Sequence, residues 1–170
     1  MEDEVLFIEQ QRFRQIWIWI ILLGINIYFI DKTIRQLIMP EQLEGKLMSN
    51  TGLIVTTLIT LSVTLFIACT RLDTTIKDDG IYVRFFPLHL KFRKYSWDKI
   101  SQAFVRKYEP ISEYGGWGYR LGLFGKGRAF NISGNQGIQL IFTDGAKLLI
   151  GTNRPAEAKE ALDHISILKQ

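Results

Sequence analysis

Two long stretches without one charged side chain lie within the first 70 residues, and they constrain this chain more than any other feature. The first is Ile16–Ile30, IWIWIILLGINIYFI; the second is Gly52–Thr70, GLIVTTLITLSVTLFIACT. A helix of about 20 apolar residues crosses the ~30 Å hydrocarbon core of a bilayer. The second run matches that length. The first is shorter, but Phe13 extends it, and Arg14 can snorkel its charge to the headgroups. Trp17 and Trp19 near one end and Tyr28 near the other stand where interfacial aromatics belong. A cleaved signal peptide would be followed by small residues, and NIYFIDK is bulky.

Asn26 is the one strongly polar side chain deep in the first run, and it is expected to hydrogen-bond across a helix interface. Neither run carries the carboxylate or histidine of an ion pathway. The hydroxyls of the second run can bond back to their own helix carbonyls. Between the runs, Pro40 and Gly45 break an amphipathic segment whose Ile34, Leu37, Ile38, Leu43 and Leu47 can rest at a membrane interface. Residues 1–70 are therefore expected to be an N-terminal tail and a transmembrane helical hairpin, with spans at about 14–30 and 52–70. Arg12, Arg14, Arg71, Lys77 and Arg84 flank its outer ends, against Lys32, Arg35 and Lys46 in the connection. That bias predicts a protein integral to the plasma membrane, with both termini and residues 71–170 cytoplasmic.

From Arg71 onward the pattern changes to a period of two. Ile81, Val83 and Phe85 alternate with Tyr82, Arg84 and Phe86; Leu88, Leu90 and Phe92 alternate with His89, Lys91 and Arg93. A third run continues through Ile100, Ala103 or Phe104, and Val105. Asp78-Asp79-Gly80 and Asp144-Gly145 are hairpin turns, the second of two-residue type. With YRLGLFG, GRAFNIS, GIQLIFT and AKLLIG, up to eight short strands are expected. The chain ends in a helix, started by Thr152 or Asn153 and Pro155. Its stripe of Ala158, Ala161, Leu162, Ile165 and Leu168 is fit to cover an open barrel end.

A helical hairpin followed by about seven strands and one C-terminal helix resembles the uncharacterised bacterial membrane proteins that carry PH-like domains. The segments that carry the resemblance are TTIKDDGIYVRFFP (74–87), YSWDKI (95–100) and LLIGTNRPAEAKEAL (148–162). It implies a mainly-β PH-like small barrel or sandwich over 71–170, capped by one helix, with a membrane-tethered binding or scaffold role and no enzyme activity. Phosphoinositide-binding members use basic residues around the first hairpin. Lys77 and Lys91-x-Arg93 loosely imitate that pattern, but Asp78 and Asp79 in the turn would repel a phosphate.

Charge is unevenly shared. Residues 71–170 hold 16 basic and 10 acidic side chains, against 5 and 7 before them. The lone cysteine, Cys69, permits no intrachain disulfide and no cysteine zinc site. His89 and His164 are expected at the surface or its boundary. No zincin, dithiol, nucleophile-elbow or Walker spacing occurs, and no RNA-recognition signature, so neither cofactor nor nucleic acid is expected.

Two functions remain. One is a module that binds a protein partner, or a second copy of itself, at the membrane face. The other is an anionic-lipid or small-ligand-binding membrane protein, with Lys91, Arg93, Lys94, Arg106, Lys107 and Arg120 on one basic surface. An enzyme would need Glu113, Arg120, Asn131 and Asn135 to converge. The glycine-rich EYGGWGYR at 113–120 leads into a strand rather than a helix, so it reads as a turn and not a phosphate cradle. Within it Tyr114, Trp117 and Arg120 are the candidate partner or lipid contacts.

Overall fold

The computed structural model describes residues 4–38, 48–122 and 125–168. The chain divides into two compact units, residues 14–69 and residues 1–13 with 70–170.

The first unit is a pair of helices, α1 (Ile16–Ile38) and α2 (Asn50–Cys69). Both are long and apolar enough to cross a membrane. Their polar groups face each other. Asn26 Nδ2 donates to Thr64 Oγ1 at 2.6 Å and to Leu22 O at 2.7 Å, the cross-helix bond that the sequence predicts. Thr33 and Thr57 share a hydroxyl bond of 2.8 Å. Thr56, Thr57, Ser62 and Thr64 return their hydroxyls to carbonyls of their own helix. The first helix does not stop at Ile30. Asp31 and Arg35, one turn apart, pair at 2.8 Å and support two further turns. There Gln36 Nε2 donates to Met48 O and Asn50 Oδ1. Leu43 and Leu47 lie outside the described residues.

The second unit holds nine strands among the described residues. The four-stranded sheet runs in the order β1 (Val5–Arg12), β2 (Arg71–Lys77), β3 (Gly80–Phe86), β4 (Arg93–Ser96), all antiparallel. The five-stranded sheet has the order β5 (Ile100–Lys107), β8 (Gln136–Phe142), β9 (Lys147–Gly151), β7 (Arg128–Asn131), β6 (Gly118–Leu121), with β7 parallel to β9. The two are separate sheets, not a closed barrel.

Strand β1 is the ninth strand. The sequence points to a tail there because β1 turns Phe7, Glu9 and Gln11 inward, so its buried face is mostly polar. Strand β3 alternates as the sequence predicts. Leu72, Ile76, Ile81, Val83 and Phe85 from one sheet meet Phe130, Ile138, Leu140, Leu148 and Ile150 from the other, with Ile132 just past β7, in one core. The expected strand at Leu88, Leu90 and Phe92 is instead a turn that leaves all three exposed. The register of β5 slips between Ile100 and Gln102. This bulge turns Ala103 and Val105 to the core and leaves Phe104 exposed, so Ala103 is the inward residue of that pair.

The turn at Asp144-Gly145 carries three residues rather than two. Gly145 N donates to Phe142 O, and Phe142 N to Ala146 O, with Gly145 at φ 82° closing the loop. Helix α4 (Pro155–Leu168) packs against β1, β5 and β8, burying Ala158, Ala161, Leu162 and Ile165 as the stripe predicts. The Leu168 side chain lies outside the described residues.

Candidate functional site around Trp117

The connection from β5 to β6 contains the start of EYGGWGYR, whose last three residues open β6. Tyr108 N donates to Asn135 O as β5 ends. Pro110 then opens one helical turn, α3 (Pro110–Tyr114), where its missing N–H costs nothing. Gly115 ends that turn in the left-handed conformation, φ 70°, with its amide on Ile111 O at 2.8 Å. Gly127 answers a different need: a Cβ there would lie 2.2 Å from Lys147 O, so only glycine permits the approach.

Tyr114 is buried. Its ring meets Tyr108 edge-on at 5.9 Å, and with Ala129 and Leu149 they form a second small core. Glu113 accepts two bonds from Arg106, Nη1 at 3.1 Å and Nη2 at 2.8 Å, and a third from Glu109 N at 2.9 Å. The Arg106 guanidinium holds the Glu113 carboxyl below the ordinary carboxylate range. Burial pushes the Tyr108 and Tyr114 phenols up.

Trp117 is half-buried, and its indole N–H donates to Gly134 O at 3.0 Å. The ring forms one wall of a shallow surface groove of about 360 Å³, lined also by Glu109, Pro110, Ile111, Gly134 and Asn135. Ile111 is 70% exposed. An apolar wall and floor flanked by one carboxylate and one amide suit an apolar side chain and the peptide around it. Ile111 is the residue that sequence reasoning missed. The only signal is a lone isoleucine in the polar context EPISEYGG.

The remaining candidates divide. Arg120 is exposed, and its Nε turns back to Trp117 O at 3.0 Å instead of standing over the indole face. Lys94 pairs with Asp79, which also accepts the Tyr82 hydroxyl at 2.6 Å. Lys91, Arg93 and Lys107 are exposed. The six basic residues are spread over both sheets: Arg106 and Lys107 lie on β5 and Arg120 on β6, the two edge strands of the five-stranded sheet. Lys91, Arg93 and Lys94 belong to the other sheet and the turn that enters it.

Of the four residues named for an enzyme, Glu113 is held by Arg106, and Arg120 by the Trp117 carbonyl. Asn131 donates to Tyr108 Oη and accepts from Gly118 N, both at 2.9 Å, deep in the fold. His89 is 8% exposed, not a surface residue, while His164 is exposed beside Glu4, Glu157 and Glu160 in a hollow against α4. Among the described residues no three His, Cys, Asp or Glu side chains are placed to share a metal ion. No protein-family model, curated protein or solved structure matches this chain.

Proposed function

We propose that this chain is a two-span membrane protein whose β unit is a PH-like module binding a protein partner at the cytoplasmic face. The spans are supported by what α1 and α2 leave uncovered. Only 6% and 11% of their most apolar windows are buried, where a core helix of a water-soluble protein would be mostly buried. Ile20, Ile27, Leu58 and Leu65 point outward, and the polar groups point at the partner helix. That inversion suits hydrocarbon as solvent. The cytoplasmic side is supported by the excess of Arg and Lys at the outer ends.

A four-stranded antiparallel meander, a second sheet and a C-terminal helix over one core agree with the PH-like outline. Nine strands instead of about seven, and a first strand separated from the rest by the helices, are where the chain departs from it.

The observation that carries the binding role is the groove of Trp117 and Ile111. A large exposed aliphatic side chain beside an anchored indole is the makeup of a hot spot, provided that a partner removes both from water. The test is purification of the intact protein from its own membranes in mild detergent. One stoichiometric protein should accompany the unmodified chain and be lost from Ile111→Asp, whose unfolding stays unchanged. A homo-oligomer carrying lipid, equally recovered from both, would favour the anionic-lipid or small-ligand alternative and sink this reading.

A further inference from the structure

Residues 87–92, Pro-Leu-His-Leu-Lys-Phe, alternate as a strand would, yet they form a turn. Only Arg93–Ser96 pairs as β4. The alternation is inverted relative to expectation. His89 points inward, its ring edge-on to Phe130 at 5.3 Å and to Tyr119 at 5.7 Å, and its amide bonds to Phe85 O at 2.7 Å. The pinned histidine throws its apolar neighbours outward: Leu88 is 53% and Leu90 73% exposed, and Phe92 is also exposed. Lys91 and Arg93 are exposed between and beside them.

The place of this turn follows from strand direction. In the four-stranded sheet Arg12 is opposite Arg71, and Arg71 is opposite Phe86. Three residues separate Arg12 from the start of α1, and one separates the end of α2 from Arg71. The chain therefore leaves for both apolar helices from the end of the sheet where Phe86 lies, and the turn begins at Pro87. A few residues of backbone reach no more than about 10–15 Å.

We propose that this turn is a membrane-contact element, with Leu88 and Leu90 set into the headgroup zone and Lys91 and Arg93 against anionic lipid. The chemistry is that of interfacial anchoring, apolar side chains flanked by cations. The occupant is the bilayer that holds the protein's own helices, because the chain leaves for both of them from the same sheet end at which the turn begins. The inference rests on reading α1 and α2 as spans and is independent of the Trp117 groove.

The test uses the full chain with Cys69→Ser and one new cysteine, labelled with an environment-sensitive fluorophore and reconstituted into vesicles. Leu90→Cys is the test position, and Asp78→Cys, in the turn at the opposite end of the sheet, is the control. The Leu90 label should shift to the blue and lose several-fold in emission to spin-labelled lipid, while the Asp78 label stays water-like. Leu88→Cys repeats the measurement should Leu90→Cys fold poorly. In vesicles enriched in phosphatidylglycerol, Lys91→Glu with Arg93→Glu should weaken the quenching several-fold.

A Leu90 label as water-like as the Asp78 label, in protein that resists carbonate extraction, overturns the inference and leaves the spans standing. A blue shift without lipid quenching means that protein covers the turn, and overturns it too. Release of the protein by carbonate removes the spans and the inference together.

Discussion

Glu9 accepts the hydroxyl of Thr152 at 2.6 Å through one carboxylate oxygen, and the Asn153 amide at 2.8 Å through the other. Thr152 Oγ1 in turn accepts from Arg154 N at 3.0 Å, one residue before α4. A side chain that precedes both apolar helices thus sets the entry of the last helix of the chain. A charge-assisted bond is worth about 1.5–3 kcal/mol when its loss strands a buried group. Glu9→Ala should cost about 2 kcal/mol in the β unit by thermal or denaturant unfolding, and Thr152→Val about 1 kcal/mol. Because they share one bond, the double variant should lose less than the sum.

Removal of β1 should be more severe. A soluble chain of residues 70–170 lacks Phe7 from the core, Glu9 from the start of α4, and Gln11, whose Nε2 donates to Gly151 O at 2.7 Å. It should show no cooperative unfolding transition. Joining residues 4–13 to residue 70 through a short Gly-Ser linker should restore one, since Arg12 and Arg71 are already paired neighbours. Equal transitions from the two chains would show that the strand is dispensable.

His89 should make the β unit acid-sensitive. Its pKa lies below the ordinary value of 6.5, first through burial and then through Arg93 and Arg128. Its Nδ1 has no hydrogen-bond partner. Below pH 6.5 the unfolded chain takes up a proton that the folded state resists, so stability is full above that value and falls as pH drops through it. The slope of unfolding free energy between about pH 7 and pH 5.5 should flatten in His89→Asn, whatever that variant costs at neutral pH. An unchanged slope would exclude His89 as its source.

The groove's support can be titrated at a lower pH. Glu113 has a depressed pKa, chiefly through its bonds from Arg106. Its contribution is present above the unfolded carboxyl value and is lost as pH falls through the folded one. Arg106→Ala should cost about 1 kcal/mol at pH 7 for this partly exposed pair, and less as the pH falls through the folded carboxyl's depressed value. Trp117 should keep its bond to Gly134, so its emission wavelength should not move.

In the helical pair, Asn26→Leu and Thr64→Val should each weaken the association of α1 and α2 in detergent by about 0.5–1.5 kcal/mol. The double variant should lose about as much as either alone, as measured by steric trapping or denaturant titration in micelles.

The parts legible in the sequence were those governed by one repeating rule. The charge-free runs became α1 and α2, Asn26 found Thr64, and the Ala158–Ile165 stripe became the buried face of α4. What stayed hidden depends on tertiary context. Strand β1 looks like a tail because Glu9 and Gln11, which it buries, bond to residues about 140 positions away. Leu88 and Leu90 alternate correctly for a strand, but His89 packs edge-on against the stacked Phe130 and Tyr119 rings where the pattern calls for a leucine, and the pattern turns inside out. Ile111 is exposed because the turn of α3 lifts it away from the Tyr108–Tyr114 core, a fact that no local pattern encodes.

The pairing of β1 with β2 also has a meaning in the order of synthesis. The ribosome releases β1 first, then both apolar helices, and only then its partner. If α1 and α2 both cross a bilayer, as proposed, β1 and β2 end in the same compartment and can pair. A nascent chain in which one helix fails to cross leaves the two strands on opposite sides, and the core loses Phe7 and the Glu9 latch on α4. On that reading, completion of the four-stranded sheet depends on the threading of the hairpin.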